Sequence, residues 1–117
     1  MRHAVEAHSF SAGIPPRSLE AEILQDADRL DAIGALGIAR CFYTAGRMGS
    51  ALYDAADPHA ERRGTDDARF ALDHFQAKLL HLAGSFRTNA GRRLALLRHQ
   101  RMQRFLADMA DEIGQPR

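Results

Sequence analysis

Residues Gln25-Asp26-Ala27-Asp28-Arg29-Leu30-Asp31-Ala32 set three carboxylates and a guanidinium into a stretch whose flanks are apolar. Upstream, Ser18 is placed to cap a helix, and Glu20 and Glu22 lie where the positive end of a helix dipole favours anions. The pattern predicts a helix from Ser18 through Asp31 or beyond. At about 100° per residue, Leu19, Ile23, Leu30 and Ile33 share one stripe. Leu24, Ile38 and Phe42 form another if the helix continues past Gly34 and Gly37. Such a helix, apolar on several sides, is expected at the centre of a helical protein, with a close neighbour or a break near Gly34.

Charge within that helix needs a partner, because an isolated buried carboxylate would cost several kcal/mol or protonate. Asp28 and Asp31 fall about 60° apart on one face, and Asp26 lies on the opposite stripe with Leu19 and Leu30. Spacing leaves two readings open. The pair shares a cation, or these acids balance Arg17, Arg29 and Arg40 at a solvated face.

Working outward, His3 to His8 reads as the end of a helix begun upstream, followed by the turn-rich Ser9 to Pro16. Downstream, Gly46 to Gly64 is a polar connection without period, expected to be the mobile loop. Thr65 is placed to cap a further helix, with Asp66 and Asp67 in its first turn and an end near Gly84. Thr88 caps a last helix that carries Leu94, Leu97, Met102, Phe105, Leu106, Met109 and Ile113 and stops at Gly114 to Arg117. No alternating strand pattern, repeat or low-complexity tract interrupts this order. The expected architecture is an all-α bundle of about four to five helices.

Composition narrows the function classes. The chain has 117 residues, 45% hydrophobic and 26% charged, which fits one folded domain and not a disordered segment. Its formal net charge is +1, so bulk electrostatics name neither nucleic acid nor a membrane as partner. Charge is nevertheless uneven: residues 1–73 hold twelve acids against eight Lys/Arg, whereas residues 74–107 hold seven Lys/Arg and no acid. The single Cys41 excludes an internal disulfide and an all-Cys zinc site, and fits a reducing, cytoplasmic setting. No stretch has the continuous apolar length of a signal peptide core or a membrane span.

The segment Asp28-Arg29-Leu30-Asp31-Ala32 resembles the closing motif of HD-domain phosphohydrolases. The likeness extends to His8-Ser9-Phe10-Ser11, to Gly34-Ala35-Leu36-Gly37-Ile38-Ala39-Arg40 and to His74-Phe75-Gln76-Ala77-Lys78-Leu79-Leu80, nearly the whole chain. It is similar to a bacterial branch of predicted HD hydrolases. The resemblance implies an HD-type helical domain whose divalent metal, manganese, magnesium, nickel or a similar ion, is held by a histidine, a His-Asp pair and a final aspartate. Asp28 matches that final aspartate, with Asp31 as second choice. Arg29 matches a position that places a basic residue against substrate phosphate. His8 corresponds to a histidine near the metal, suited to proton transfer, and His74 and Lys78 match a segment suited to binding phosphate.

One departure is plain, since none of the six histidines is followed by Asp. Residues 1–117 are therefore expected to be the C-terminal part of a single HD-type domain, without the helices that carry the other ligands. Either the gene product has lost its N-terminal half, or Met1 is an internal start. A chain with one metal ligand is expected to be inactive alone, because affinity comes from several ligands at fixed geometry. The expected partner is a nucleotide or other phosphorylated small molecule. The alternative is a non-catalytic helical interaction module that meets a second copy through exposed apolar surface. Arg92, Arg93, Arg98, Arg101 and Arg104 read first as solvated residues or partners of the acids in residues 54–73, and second as phosphate contacts to nucleic acid, which no aromatic interleaving or groove-reading motif supports.

Overall fold

Ser18 has extended backbone angles (φ −139°, ψ 161°), and its hydroxyl accepts a hydrogen bond from the Ala21 N–H at 3.1 Å, which starts the helix α1, Leu19–Leu30. The structure, a computed structural model, describes residues 18–114. The readings of His3 to Pro16 and of the terminal Gln115 to Arg117 lie outside the described residues. α1 stops at Leu30, slightly short of the expected extent, and Asp31 to Ile33 turn the chain into α2, Gly34–Met48. The break falls at Gly34, whose φ of 74° is left-handed and whose missing side chain leaves room for the aliphatic part of Arg98. Arg98 in turn donates from Nη1 to the Leu30 carbonyl at the end of α1.

Residues 50–72 form no helix, so the helix expected from Thr65 does not form. The reason is a set of longer-range bonds that take the backbone donors a helix would need. Ala51 and Phe70 make an isolated parallel bridge, with Ala51 N–H donating to Arg69 O and Ala71 N–H to Ala51 O, both at 2.9 Å. Leu72 N–H adds a bond to Leu52 O at 2.9 Å. Asp66 N–H is taken by the Asp73 carboxylate at 2.7 Å. The helix α3 therefore begins only at Asp73, spans Asp73–Ala77, and passes into a 3₁₀ helix, Leu79–Ser85.

Arg63 organises this connection. Its Nε donates to Asp54 at 3.0 Å, while Nη1 and Nη2 donate to the two oxygens of Asp73 at 2.6 and 3.2 Å. Its guanidinium also lies 4.6 Å from the centre of the Phe70 ring. Asp73 is 1% exposed, so this fork is what compensates a buried carboxylate. The hydrogen bond to Asp73 holds the Arg63 pKa above the usual arginine value. Asp57 ties the tip of the loop by accepting from Glu61 and Arg62 N–H at 3.0 Å each. A segment read as a mobile loop is thus bound by ionic and backbone hydrogen bonds.

α4, Asn89–Gly114, begins as expected at Thr88, whose hydroxyl accepts from Gly91 N–H at 2.9 Å. Its 26 residues make it the longest helix among the described residues, about 39 Å at ~1.5 Å per residue. The core lies where α2, α3 and the 3₁₀ helix meet α4, with Ile33, Phe75, Ala95 and Met102 fully buried. Phe42, Phe75 and Phe105 pack with ring centres 5.9 to 6.0 Å apart. Arg98 meets α1, and Arg92 donates to Phe86 O and Asn89, so neither pairs with residues 54–73.

The expected apolar stripe of α1 divides. Ile33 and Leu30 join the core, but Leu19 and Ile23 are 67% and 52% exposed, so α1 is peripheral among the described residues. Its buried side is Ala21, Gln25, Asp26 and Arg29. Asp26, 3% exposed, faces the start of α4: Oδ1 accepts from Arg87 N–H, and Oδ2 from Thr88 N–H and the Thr88 hydroxyl, at 2.7 to 2.8 Å. A Cβ on Gly91 would collide with Asp26 Oδ2. Asp26→Ala should destabilise the fold by about 3 kcal/mol or more, since three donors lose a charged acceptor in a buried site. Gly91→Ala should be destabilising through the same contact. Urea midpoints read both effects, and unchanged midpoints would contradict this account.

Candidate functional site

His74 lies in the first turn of α3 and Lys78 at its end, with Lys78 N–H bonded to the His74 carbonyl at 2.9 Å. Lys78 itself has non-helical backbone angles (φ −136°, ψ −55°), yet it meets the same cavity as His74. Both line a pocket of about 340 Å³ between α2, the stretch from Asp67 to Ala71 and the end of α3. α2 contributes Arg40, Cys41 and Thr44 to it, and the loop contributes Asp67. His74 Nδ1 and Asp67 Oδ2 are 3.0 Å apart, with both side chains about one-third exposed. That hydrogen bond, helped by the nearby Lys78 charge, holds the Asp67 carboxyl below the usual carboxylate range.

The pocket is asymmetric in charge. Arg40 and Lys78 are cationic, and the one carboxylate among the lining residues is engaged by His74. Arg40 also donates to the Asp31 carbonyl at 3.3 Å, which connects this pocket to the end of α1. Such a set of donors suits an anion with several oxygens, phosphate above all.

Cys41 shares the pocket wall but is 9% exposed, and its Sγ lies 3.6 Å from the Ala71 carbonyl oxygen. Burial, with the Asp67 charge adding, pushes its thiol up to about 11. It is a core thiol.

The residues of the acidic helix take three different places. Asp26 is structural. Asp28 and Asp31 are exposed on the outer side of α1. Arg29 is 8% exposed and turned inward, where its Nη1 donates to the Ser85 carbonyl at 2.6 Å. Burial and the Arg87 charge lower its pKa from the usual arginine value, an effect that Asp26 and Asp28 oppose. Arg29 is not among the residues that line the pocket with His74 and Lys78. His8 lies outside the described residues.

A divalent metal site needs several His, Cys, Asp or Glu ligands around one point. Among the described residues no group of three or more such side chains converges. Asp28, with or without Asp31, does not form a metal centre within residues 18–114.

Sequence reasoning singles out His74 and Lys78 and passes over Arg40 and Asp67, which line the same pocket. Arg40 stands at the end of the quoted Gly34 to Arg40 segment, where it reads only as balancing charge. Asp67 reads as a helix-start acid. Its role depends on a loop that folds back onto α3, which no local pattern encodes.

No protein-family model matches the chain. The curated Bacillus subtilis (strain 168) protein YpgQ, described as uncharacterized, is 42% identical over 98 residues, covering 84% of this chain and 42% of that protein. A crystal structure of an HD-superfamily hydrolase from Bacillus thuringiensis superimposes with a TM-score of 0.72 at 38% identity, covering 85% of this chain and 48% of that one. The crystal structure of Bacillus subtilis YpgQ in complex with ADP gives 0.74 at 38% identity, covering 95% and 52%. The chain thus spans about half the length of the relatives it matches.

With its thiol at about 11, Cys41 should react with a chromogenic disulfide reagent at pH 8 on the order of a hundredfold more slowly than a free cysteine. Urea should remove the difference. Fast reaction of the folded protein would place Cys41 at an open surface instead.

Proposed function

We propose that this chain, which belongs with the HD-superfamily hydrolases over the half of them that it spans, contributes a phosphate-binding pocket to a metal-dependent phosphohydrolase acting on nucleotides or other phosphate esters. The observation that carries this reading is the convergence of Arg40 from α2 with His74 and Lys78 from α3 on one pocket. A relative with 38% identity has been crystallised with ADP, which supports a nucleotide diphosphate as the kind of ligand. In this reading Arg40 and Lys78 carry the phosphate charge, and His74 adds a hydrogen bond. Arg29 braces the α1 end against Ser85.

Asp28 is the metal ligand this segment contributes in that reading, with Asp31 beside it and His8 as a proton-transfer group. The remaining ligands come from residues other than 18–114, since the described ones do not supply them. The chain by itself accordingly binds phosphate without hydrolysing it. A second reading, a non-catalytic module that meets another copy of the chain, is favoured by the exposure of Leu19, Ile23 and Leu24 on α1. Sedimentation as a monomer at high concentration would remove it.

In calorimetric titration the purified chain should bind pyrophosphate without added metal. Arg40→Ala and Lys78→Ala should each weaken binding by about tenfold, the loss of one charge-assisted contact. Release of phosphate from ATP or ADP should stay at background with manganese, magnesium or nickel. Binding that ignores both substitutions would overturn the assignment of the pocket, and metal-dependent turnover would overturn inactivity.

A further inference from the structure

A histidine has two ring nitrogens, and the hydrogen bond made by one fixes what the other can offer. His74 Nδ1 is 3.0 Å from a carboxylate oxygen of Asp67, so Nδ1 carries a proton and donates it, leaving Nε2 for a second partner. The carboxylate is not there by accident of a flexible loop. Asp66, its neighbour, bonds through its N–H to Asp73 at 2.7 Å, and its carbonyl accepts from Arg69 and Phe70 N–H at 3.2 and 3.0 Å. Asp73 is itself gripped by Arg63. The whole 50–72 connection is therefore folded so that Asp67 meets His74 at the mouth of α3. The cations Arg40 and Lys78 line the same pocket, and Lys78 is close enough to contribute to keeping Asp67 ionised.

We propose that Asp67 is a positioning residue, which orients His74 so that its Nε2 donates, once protonated, to an oxygen of a terminal phosphate or diphosphate group held by Arg40 and Lys78. This rests on the phosphate reading of the pocket and adds a part to it. The Asp67 carboxylate holds the proton on Nδ1 and fixes the orientation of the ring. Arg40 and Lys78 outnumber the one carboxylate among the lining residues, and that carboxylate is turned to His74, so the pocket favours a multiply charged phosphate group over a neutral ligand. No bond to phosphorus is made or broken in this role.

The test uses the whole chain with pyrophosphate as probe. Ring nitrogen correlation spectra of ¹⁵N-histidine-labelled protein should show neutral His74 protonated on Nδ1. Asp67→Ala should move the proton to Nε2 and weaken pyrophosphate binding by about tenfold, as for loss of one charge-assisted hydrogen bond. His74→Ala should weaken it similarly, and the double variant should be no weaker than either single one, because the two residues act as a unit. Asp67→Asn, which keeps an acceptor and loses the charge, should keep the Nδ1 proton and bind with intermediate affinity. This variant also carries the test if Asp67→Ala does not fold. A wild-type ring protonated on Nε2, or additive losses in the double variant, would overturn the role of Asp67 while leaving Arg40 and Lys78 as phosphate ligands. Absence of any pyrophosphate binding by the wild type would overturn both.

Discussion

Asp26 brings a negative charge, 3% exposed, against the amino end of α4, where unpaired N–H groups and the helix dipole make a site for an anion. Both of its oxygens are taken, by Arg87 N–H, Thr88 N–H and the Thr88 hydroxyl, and Thr88 then caps Gly91. This contact spans 61 and 62 residues of sequence and fixes where α1 sits on α4. Gly91 is required there because any side chain would occupy the carboxylate position. Once α1 is fixed, Arg29 three residues later reaches Ser85, and the Leu30 carbonyl meets Arg98. The turn at Gly34 follows, since Arg98 fills the space beside it.

A second buried acid, Asp73, plays the corresponding part on the other side of the core. Its partner Arg63 lies ten residues upstream, so the ion pair closes the loop and places Asp67 against His74. Desolvation makes each of these contacts selective in the same way. A carboxylate removed from water is tolerated only where its donors are fixed, so the surrounding backbone has little alternative arrangement. The pocket between α2 and α3 is shaped by that constraint. Its cations come from α2 and from the residue that follows α3, and its carboxylate comes from the loop that Arg63 holds.

The outer side of α1 differs in character. Leu24 lies one turn before Asp28 on the exposed side of the helix, an apolar and acidic surface in a chain that spans about half the length of its relatives. An aspartate proposed as a metal ligand thus stands on the side of α1 away from α4, while the aspartate two residues before it is committed to structure. The two differ by about 160° around the helix, nearly opposite faces, although they share one short motif. Among the described residues, no helix is long and apolar enough to cross a membrane.

By itself the sequence determined the all-α class and the Ser18 and Thr88 caps, and it marked Gly34 as a close contact or a break and His74 and Lys78 as a pair four residues apart. These are local matters, settled by hydrogen bonds and periodicities within a few residues. The resemblance to HD-domain phosphohydrolases was legible in Asp28 to Ala32 and its flanking segments for the same reason, since a motif is a local string. Tertiary structure alone decided which of the three helix carboxylates is buried, that Arg29 turns inward, and that Thr65 starts no helix. It also decided that Arg40 and Asp67 join His74 and Lys78. Each of those outcomes depends on which donor meets which acceptor across tens of residues. A buried charge takes the partner that the fold delivers, and neighbours in sequence do not specify it.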